Sequence, residues 1–280
     1  MKIVCTNQYG ESLTVRYSFP FYYVSCEGLM AYTNDIATAE PYIPGEVYQG
    51  SHNPRRTLLL EFAVRRRDYW SLRSMIYSVF GSTGTFTWHP DEGEARSISY
   101  YTESIEIADP NTMGFRHCSV SLVCPFPFFS GMEQTVPMSY WQKNITLPFV
   151  MHSPFVIGTR VQEQIKNIPN PQPVNVGITV TFTANGGNVS NPSLQNLSTG
   201  ESFQLEAFLS PGESVYANTS NGHKAAGYLG DDAQTPDIWD YAANDWLQLH
   251  PGDNLLRYDA DSGLEHLDVS IIYSQLYLGG

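Results

Sequence analysis

Long apolar runs are missing from this chain: no window reaches 18 uninterrupted apolar positions, and the first ten residues carry Lys2 without an apolar stretch behind it. Neither a membrane-spanning helix nor an export signal is expected. Charge is scarce as well, at 15% of residues, against roughly a quarter in ordinary soluble domains. Cysteine occurs four times, as Cys5, Cys26, Cys118 and Cys124, with no CxxC pair. A zinc site built from His117, Cys118 and Cys124 lacks a fourth ligand, so reduced thiols in a cytosolic folding compartment are the simpler expectation.

Reaction chemistry is equally thin. Ser214 in GESVY lacks the second glycine of a nucleophile elbow, and the seven histidines define no triad. DADSG (259–263) opens like a calcium loop, yet its twelfth position is Ser270 where a glutamate would be needed. Phosphate loops are absent. A carboxylate dyad is the one catalytic arrangement the composition leaves open. No catalytic residue, metal or cofactor is expected, and the chain is read as a non-enzyme.

What the chain does have is aromatic and apolar surface: 18 tyrosines, 13% aromatic and 42% hydrophobic residues. That supply is enough for two cores. Tyrosine-rich, charge-poor surfaces suit a subunit buried in an assembly better than a free monomer. The net charge of −13 is uneven, because residues 1–160 hold 12 Lys+Arg against 14 Asp+Glu whereas residues 161–280 hold 3 against 14. An acidic chain does not bind nucleic acid through counterion release.

Periodicity predicts a mainly β protein. TLLLEFAV (57–64) reads as a strand with Leu58, Leu60, Phe62 and Val64 on one face. A helix follows, with Asp68 as N-cap, Tyr69, Leu72, Ile76, Val79 and Phe80 at helical spacing, and Gly81 as C-cap. TGTFTWHP and ARSISYYTESIEIA flank DEGE (91–94) as a β-hairpin, and FRHCSVSLVC (115–124) alternates as another strand. These make an N-terminal β-sandwich-like domain with one α-helix and a β-hairpin, over 1–130. Residues 131–168, with prolines and little periodicity, read as a connector. Residues 169–280 read as a β-sandwich of galectin-like or jelly-roll type. Strands are expected at 176–184, 203–209, 214–218, 255–258 and 267–273, with tight turns at NPSLQNLSTG (191–200), PGE (211–213) and LHPGDN (249–254).

Two residue sets are candidates for function. Arg55, Arg56, Arg65, Arg66, Arg67 and Arg73 bracket the apolar strand and enter the helix. Their planar forks would pair with carboxylates of a neighbouring subunit, or else form a solvated charge run. Asp237, Trp239, Tyr241 and Trp246 share a long loop with Asp231, Asp232, Asp240 and Asp245. This loop is either a docking surface for another protein, a sugar platform, or a plug of tryptophans with aspartates capping turns.

The order of a strand, a helix beginning RDYWSL, a hairpin and a closing PF element, then VNVGITVTF, NPSLQNLSTGESFQL, PGESVYANTSNG, WLQLHPGDNLLRY and LYLGG, resembles the distal tail proteins of siphoviruses. Coverage is roughly 45–130 and 170–280, while the first 40 residues and the connector match poorly. Two departures concern Glu46 in IPGEVYQG, where the family commonly has a basic residue, and NVG, which lacks the acidic residue that often follows. The resemblance implies a virion structural protein at the distal end of the tail, a baseplate hub folded and assembled in the host cytoplasm. It implies a homohexameric ring that joins the tail tube protein to tail-tip, receptor-binding or fibre proteins. DNA would pass through the channel without specific binding, and this chain would not insert into a membrane. The rival is a stand-alone carbohydrate-binding or adhesin module, which leaves the N-terminal strand, helix and hairpin without a role.

Overall fold

Alternating inward and outward side chains become strands throughout the computed structural model, which describes residues 1–40, 45–109, 114–143, 158–230 and 237–280. The protein is mainly β. The chain divides into two units, Met1–Met132 with Leu276–Gly280, and Glu133–Gln275.

The first unit contains β1 (Lys2–Asn7), β2 (Ser12–Arg16), β3 (Phe21–Glu27), β4 (Asp35–Ala39), β5 (Val47–His52), β6 (Arg56–Arg65), α1 (Tyr69–Phe80), β7 (Thr83–His89), β8 (Arg96–Ile107) and β9 (Phe115–Cys124). Seven of the strands bond in the order β8-β7-β1-β2-β3-β6-β9. β8 is long enough to serve two neighbours, pairing with β7 through Arg96–Tyr101 and with β9 through Tyr101–Ile107. That second pairing closes the sheet into a barrel, where a sandwich-like arrangement was expected from the sequence. The barrel core takes Leu58, Leu60, Phe62 and Val64 from β6, all fully buried, together with Ile3, Cys5, Leu13 and Val15 from the opening residues.

Helix α1 covers the expected residues and buries Tyr69, Ile76, Val79 and Phe80. Its ends differ from expectation. The Asp68 side chain makes no capping bond; instead the Ser71 hydroxyl donates to the Asp68 carbonyl at 2.8 Å. Gly81 is right-handed (φ −74°, ψ −7°), so its lack of a side chain answers a different need. A Cβ there would stand 2.5 Å from the Tyr77 carbonyl oxygen.

Among the described residues, strands β4 and β5 pair only with each other, as a two-stranded antiparallel sheet separate from the barrel strands.

Strand β10 (Phe129–Pro137) leads out of the first unit. The second unit then holds β11 (Ser139–Lys143), β12 (Gly158–Gln162), β13 (Ile165–Asn167), β14 (Val176–Gly177), β15 (Thr179–Ala184), β16 (Val189–Asn196) and β17 (Ser202–Gln204). It continues with β18 (Phe208–Leu209), β19 (Ser214–Asn218), β20 (Ala225–Tyr228), β21 (Gln248–Leu249), β22 (Leu255–Ser262) and β23 (Leu267–Tyr277). The segment read as a connector thus carries strands β10 to β13. They are short or end in proline, and so carry little periodicity. Within this unit β20-β19-β15-β23 form one sheet, while β13-β22-β16-β17 with β18 form another. The two pack core to core where the rings of Phe182 and Phe203 meet edge-on, centroids 6.3 Å apart.

NPSLQNLSTG is a strand for its first six residues and turns only after Asn196. Asn196 is fully buried and donates from Nδ2 to Oδ1 of Asn254 at 2.9 Å. The same Oδ1 accepts from the His250 amide at 2.9 Å, while Asn254 Nδ2 donates to the carbonyls of His250 at 2.8 Å and Gly252 at 3.1 Å. One buried amide therefore closes the LHPGDN turn and ties it to the 196–201 turn.

Candidate functional site

The six candidate arginines divide among three places. Strand β6 ends at Arg65, and the chain turns through Arg66, Arg67 and Asp68 into α1, with the Asp68 amide donating to the Arg65 carbonyl at 3.0 Å. The β6–β9 register sets Val64 against Arg116 and Arg65 against Phe115, and the Arg66 amide donates to the Gly114 carbonyl at 2.8 Å. An open groove of about 720 Å³ results, lined by Arg65, Arg66, Arg67, Trp70, Gly114, Phe115 and Arg116. Trp70 stands 73% exposed beside it.

Stacking holds two of these guanidiniums. Arg65 lies over the rings of Tyr22 (5.5 Å) and Phe19 (5.9 Å), and Arg116 over Tyr69 at 4.8 Å. Their counter-charges are weak: Arg67 is 3.6 Å from Asp68, and Arg116 is 3.6 Å from an exposed Asp109. Buried Arg116 Nε has no hydrogen-bond partner among the described residues. Four guanidiniums thus face two carboxylates, so the groove attracts anions. Arg116 is absent from the sequence-based set, because only the strand register joins it to residues 65–67.

Arg73 points out from α1 over the ring of Tyr77 at 4.9 Å, and Arg55 is exposed at the opposite end of β6. Arg56 is inside the protein, 8% exposed. Its guanidinium donates to the carbonyls of Pro127 (2.7 Å), Gly28 (2.8 Å) and Leu278, and burial lowers its pKa from the usual value. Those contacts remove Arg56 from the surface set: its donors are already engaged within its own chain.

In the loop of the second unit, Trp239 is buried and stacks on Trp246 at 4.0 Å and 15°, with Phe203 at 5.2 Å on a tilted face. The carboxylates of Asp237 and Asp240 accept from the amides of Trp239 (3.1 Å) and Ala242 (2.8 Å), and Asp245 accepts from Ser202 at 3.2 Å. Lys224 covers Trp246 at 5.3 Å, and Tyr241 is 71% exposed. Asp231 and Asp232 lie outside the described residues.

A polar groove of about 390 Å³ on the same unit includes Gln204, Asn244, Arg257 and Asp259. Its groups are largely paired with one another: Arg257 meets Asp259 at 2.6 Å, Gln204 donates to Asp261 at 3.0 Å, and Asn244 bonds the Gln204 backbone in both directions. The arginine groove offers far more unused bonding capacity.

Burial pushes all four thiols up, Cys26 and Cys124 to about 12 and Cys118 to about 11. They are free and buried or half-buried. Such thiols are poor nucleophiles and poor metal ligands at neutral pH.

Three solved structures share this architecture. The SPP1 Dit (gp 19.1) protein, a paradigm of hub adsorption apparatus in Gram-positive infecting phages, aligns with a TM-score of 0.66 at 14% identity, over 92% of this chain and 94% of that one. A chain of the phage P2 baseplate in its activated conformation, with Ca and again with Sr, aligns at 0.53 and 8% identity over 97% of both chains. No family model matches the sequence, and no curated protein does. The fold is that of phage hub and baseplate proteins, the group the sequence motifs resemble.

Proposed function

We propose that this chain is a structural protein of a siphovirus tail tip, without catalytic activity. Six copies close into a ring through the barrel unit. The ring joins the tail tube to tail-associated and receptor-binding or fibre proteins, and lets DNA pass without specific binding. Assembly takes place in the host cytoplasm, and the product resides at the distal end of the virion tail. The second unit is a galectin-like β-sandwich that radiates outward and docks partners through the loop holding Asp237, Trp239, Tyr241 and Trp246, with Tyr241 and the edge of Trp246 as its accessible part. Arg55, Arg65, Arg66, Arg67 and Arg73 serve subunit contacts.

The observation that carries this reading is the fold, which matches the SPP1 hub protein over nearly the whole of both chains. An under-paired arginine groove on a charge-poor surface supports it, since its four guanidiniums meet only two carboxylates, each at 3.6 Å, among the described residues. A closed ring satisfies every heterologous interface and stops growth at a fixed number.

Light scattering on the purified chain tests the proposal. The expected particle has six times the 31.4 kDa chain mass, or twelve for paired rings. A single-copy species at every concentration overturns it.

A further inference from the structure

We infer that the arginine groove is a binding site for an organic phosphate, with the phosphate group held by Arg65, Arg66, Arg67 and Arg116 and the ring of the ester lying against Trp70. This goes beyond the ring reading above, although a bound phosphate and a neighbour's carboxylates draw on the same guanidiniums.

Fixed geometry gives the first reason. Arg65 is held over Tyr22 and Phe19, and Arg116 over Tyr69. Guanidiniums stacked in this way have given up much of their rotamer freedom before any ligand arrives, so binding costs less. The wall between them is bare backbone. Gly114 stands at φ +78°, and a Cβ placed there would meet no atom within 4 Å among the described residues, so a ligand can approach closely.

Charge selects the class of ligand. Among the described residues the four guanidiniums meet only Asp68 and Asp109, each at 3.6 Å, which is longer than a charge-assisted hydrogen bond. Buried Arg116 Nε has no hydrogen-bond partner among them. A carboxylate brings two acceptor oxygens, whereas a phosphate monoester brings three and a charge near −2. Several forks around one groove therefore suit a phosphate better than a single carboxylate.

Trp70 identifies the rest of the ligand. Its indole is 73% exposed beside the groove, an aromatic face on which a flat ring can stack. The groove's volume of about 720 Å³ falls within the roughly 300–1,000 Å³ of small-molecule sites.

Titration calorimetry on the full chain tests the site, with inorganic phosphate and phenyl phosphate each compared with sodium chloride at equal ionic strength. Both phosphates are expected to bind, phenyl phosphate about threefold tighter or more. Arg66→Gln with Arg67→Gln is expected to weaken both about tenfold. Those two side chains are exposed, and an unchanged thermal midpoint shows that the variant is folded. Trp70→Ala is expected to remove the advantage of phenyl phosphate over inorganic phosphate. Heats no larger than those of chloride, binding indifferent to the arginine pair, or no preference for the phenyl ester overturns the assignment. A single-stranded oligonucleotide that binds tighter than phenyl phosphate overturns it in favour of a nucleic-acid groove. Sedimentation velocity on the same samples keeps the two readings apart. A chain that stays single at every concentration yet binds phosphate overturns the ring alone, and a ring whose chain binds no phosphate, and whose mass phosphate does not change, overturns the site alone.

Discussion

The guanidinium of Arg56 lies over the ring of Phe129, 5.1 Å from its centroid, and from there reaches the carbonyls of Gly28, Pro127 and Leu278. Three distant stretches of chain converge on one side chain. Replacing Arg56 by Met keeps most of the stem but strands these carbonyls, each buried acceptor costing about 1–3 kcal/mol. The expected loss is about 3–5 kcal/mol in urea unfolding. Arg56→Lys is expected to recover under half of it, because an ammonium cannot reproduce the fork. A loss below about 1 kcal/mol would mean that water replaces the guanidinium freely.

Asn254 holds a comparable position in the second unit. Asn254→Leu leaves the His250 amide and the Asn196 amide group without an acceptor, for an expected cost of about 3 kcal/mol. Asn254→Asp keeps the acceptors but turns a carboxylate toward the carbonyls of His250 and Gly252. Its penalty is expected to be at least as large near pH 7 and to shrink in acid, which parallel urea titrations would reveal.

The buried thiols set an alkaline limit. Folded Cys26, Cys118 and Cys124 hold their protons to about 12, 11 and 12, whereas in the unfolded chain they titrate near 9.0. Between those values the unfolded state binds fewer protons, so stability falls as pH rises. The contribution is complete below pH 9.0 and is lost progressively toward 12. Urea midpoints compared at about pH 8 and about pH 10 are expected to drop, and Cys124→Ala with Cys26→Ala to flatten the slope. Slow reaction with a thiol reagent until urea is added checks the same burial.

Tyr241 and Trp239 separate docking from folding. Tyr241→Ala is expected to change stability by less than about 0.5 kcal/mol and to weaken capture of tail partners. Trp239→Ala is expected to cost about 3–5 kcal/mol, since its ring joins Trp246 to Phe203. Near-UV circular dichroism should lose the signal of the stacked pair. Equal loss of partner capture per unit of stability in both variants would argue against a docking surface.

Strand β6 was legible because its inward side chains are large and aliphatic while Thr57 and Glu61 mark the other face. Helix α1 was legible for the same reason at a different period. β1 and β3 were not, because Val4, Tyr22 and Val24 put apolar groups on the outward face and blur the alternation. Barrel closure depends on β8 meeting β9 across a register shift between Thr102 and Ser104, which no local pattern encodes. The candidate site divides similarly. Arg65 to Arg67 are contiguous and visible, but Arg116 joins them only through pairing. Arg56 differs from its neighbour Arg55 because carbonyls from elsewhere in the chain surround it.

Residues 276–280 return to the barrel unit, where Arg56 meets Leu278, and Arg96 donates to the Gly279 carbonyl at 3.0 Å while stacking over Tyr277 at 4.0 Å. The second unit is thus an insertion in the first, and the barrel cannot make its last bonds until the ribosome has finished everything in between. Until residues 276–280 are made, Arg56 lacks its Leu278 acceptor and Arg96 its Gly279 acceptor, so the barrel unit acquires these last ties only after the inserted unit has been synthesised.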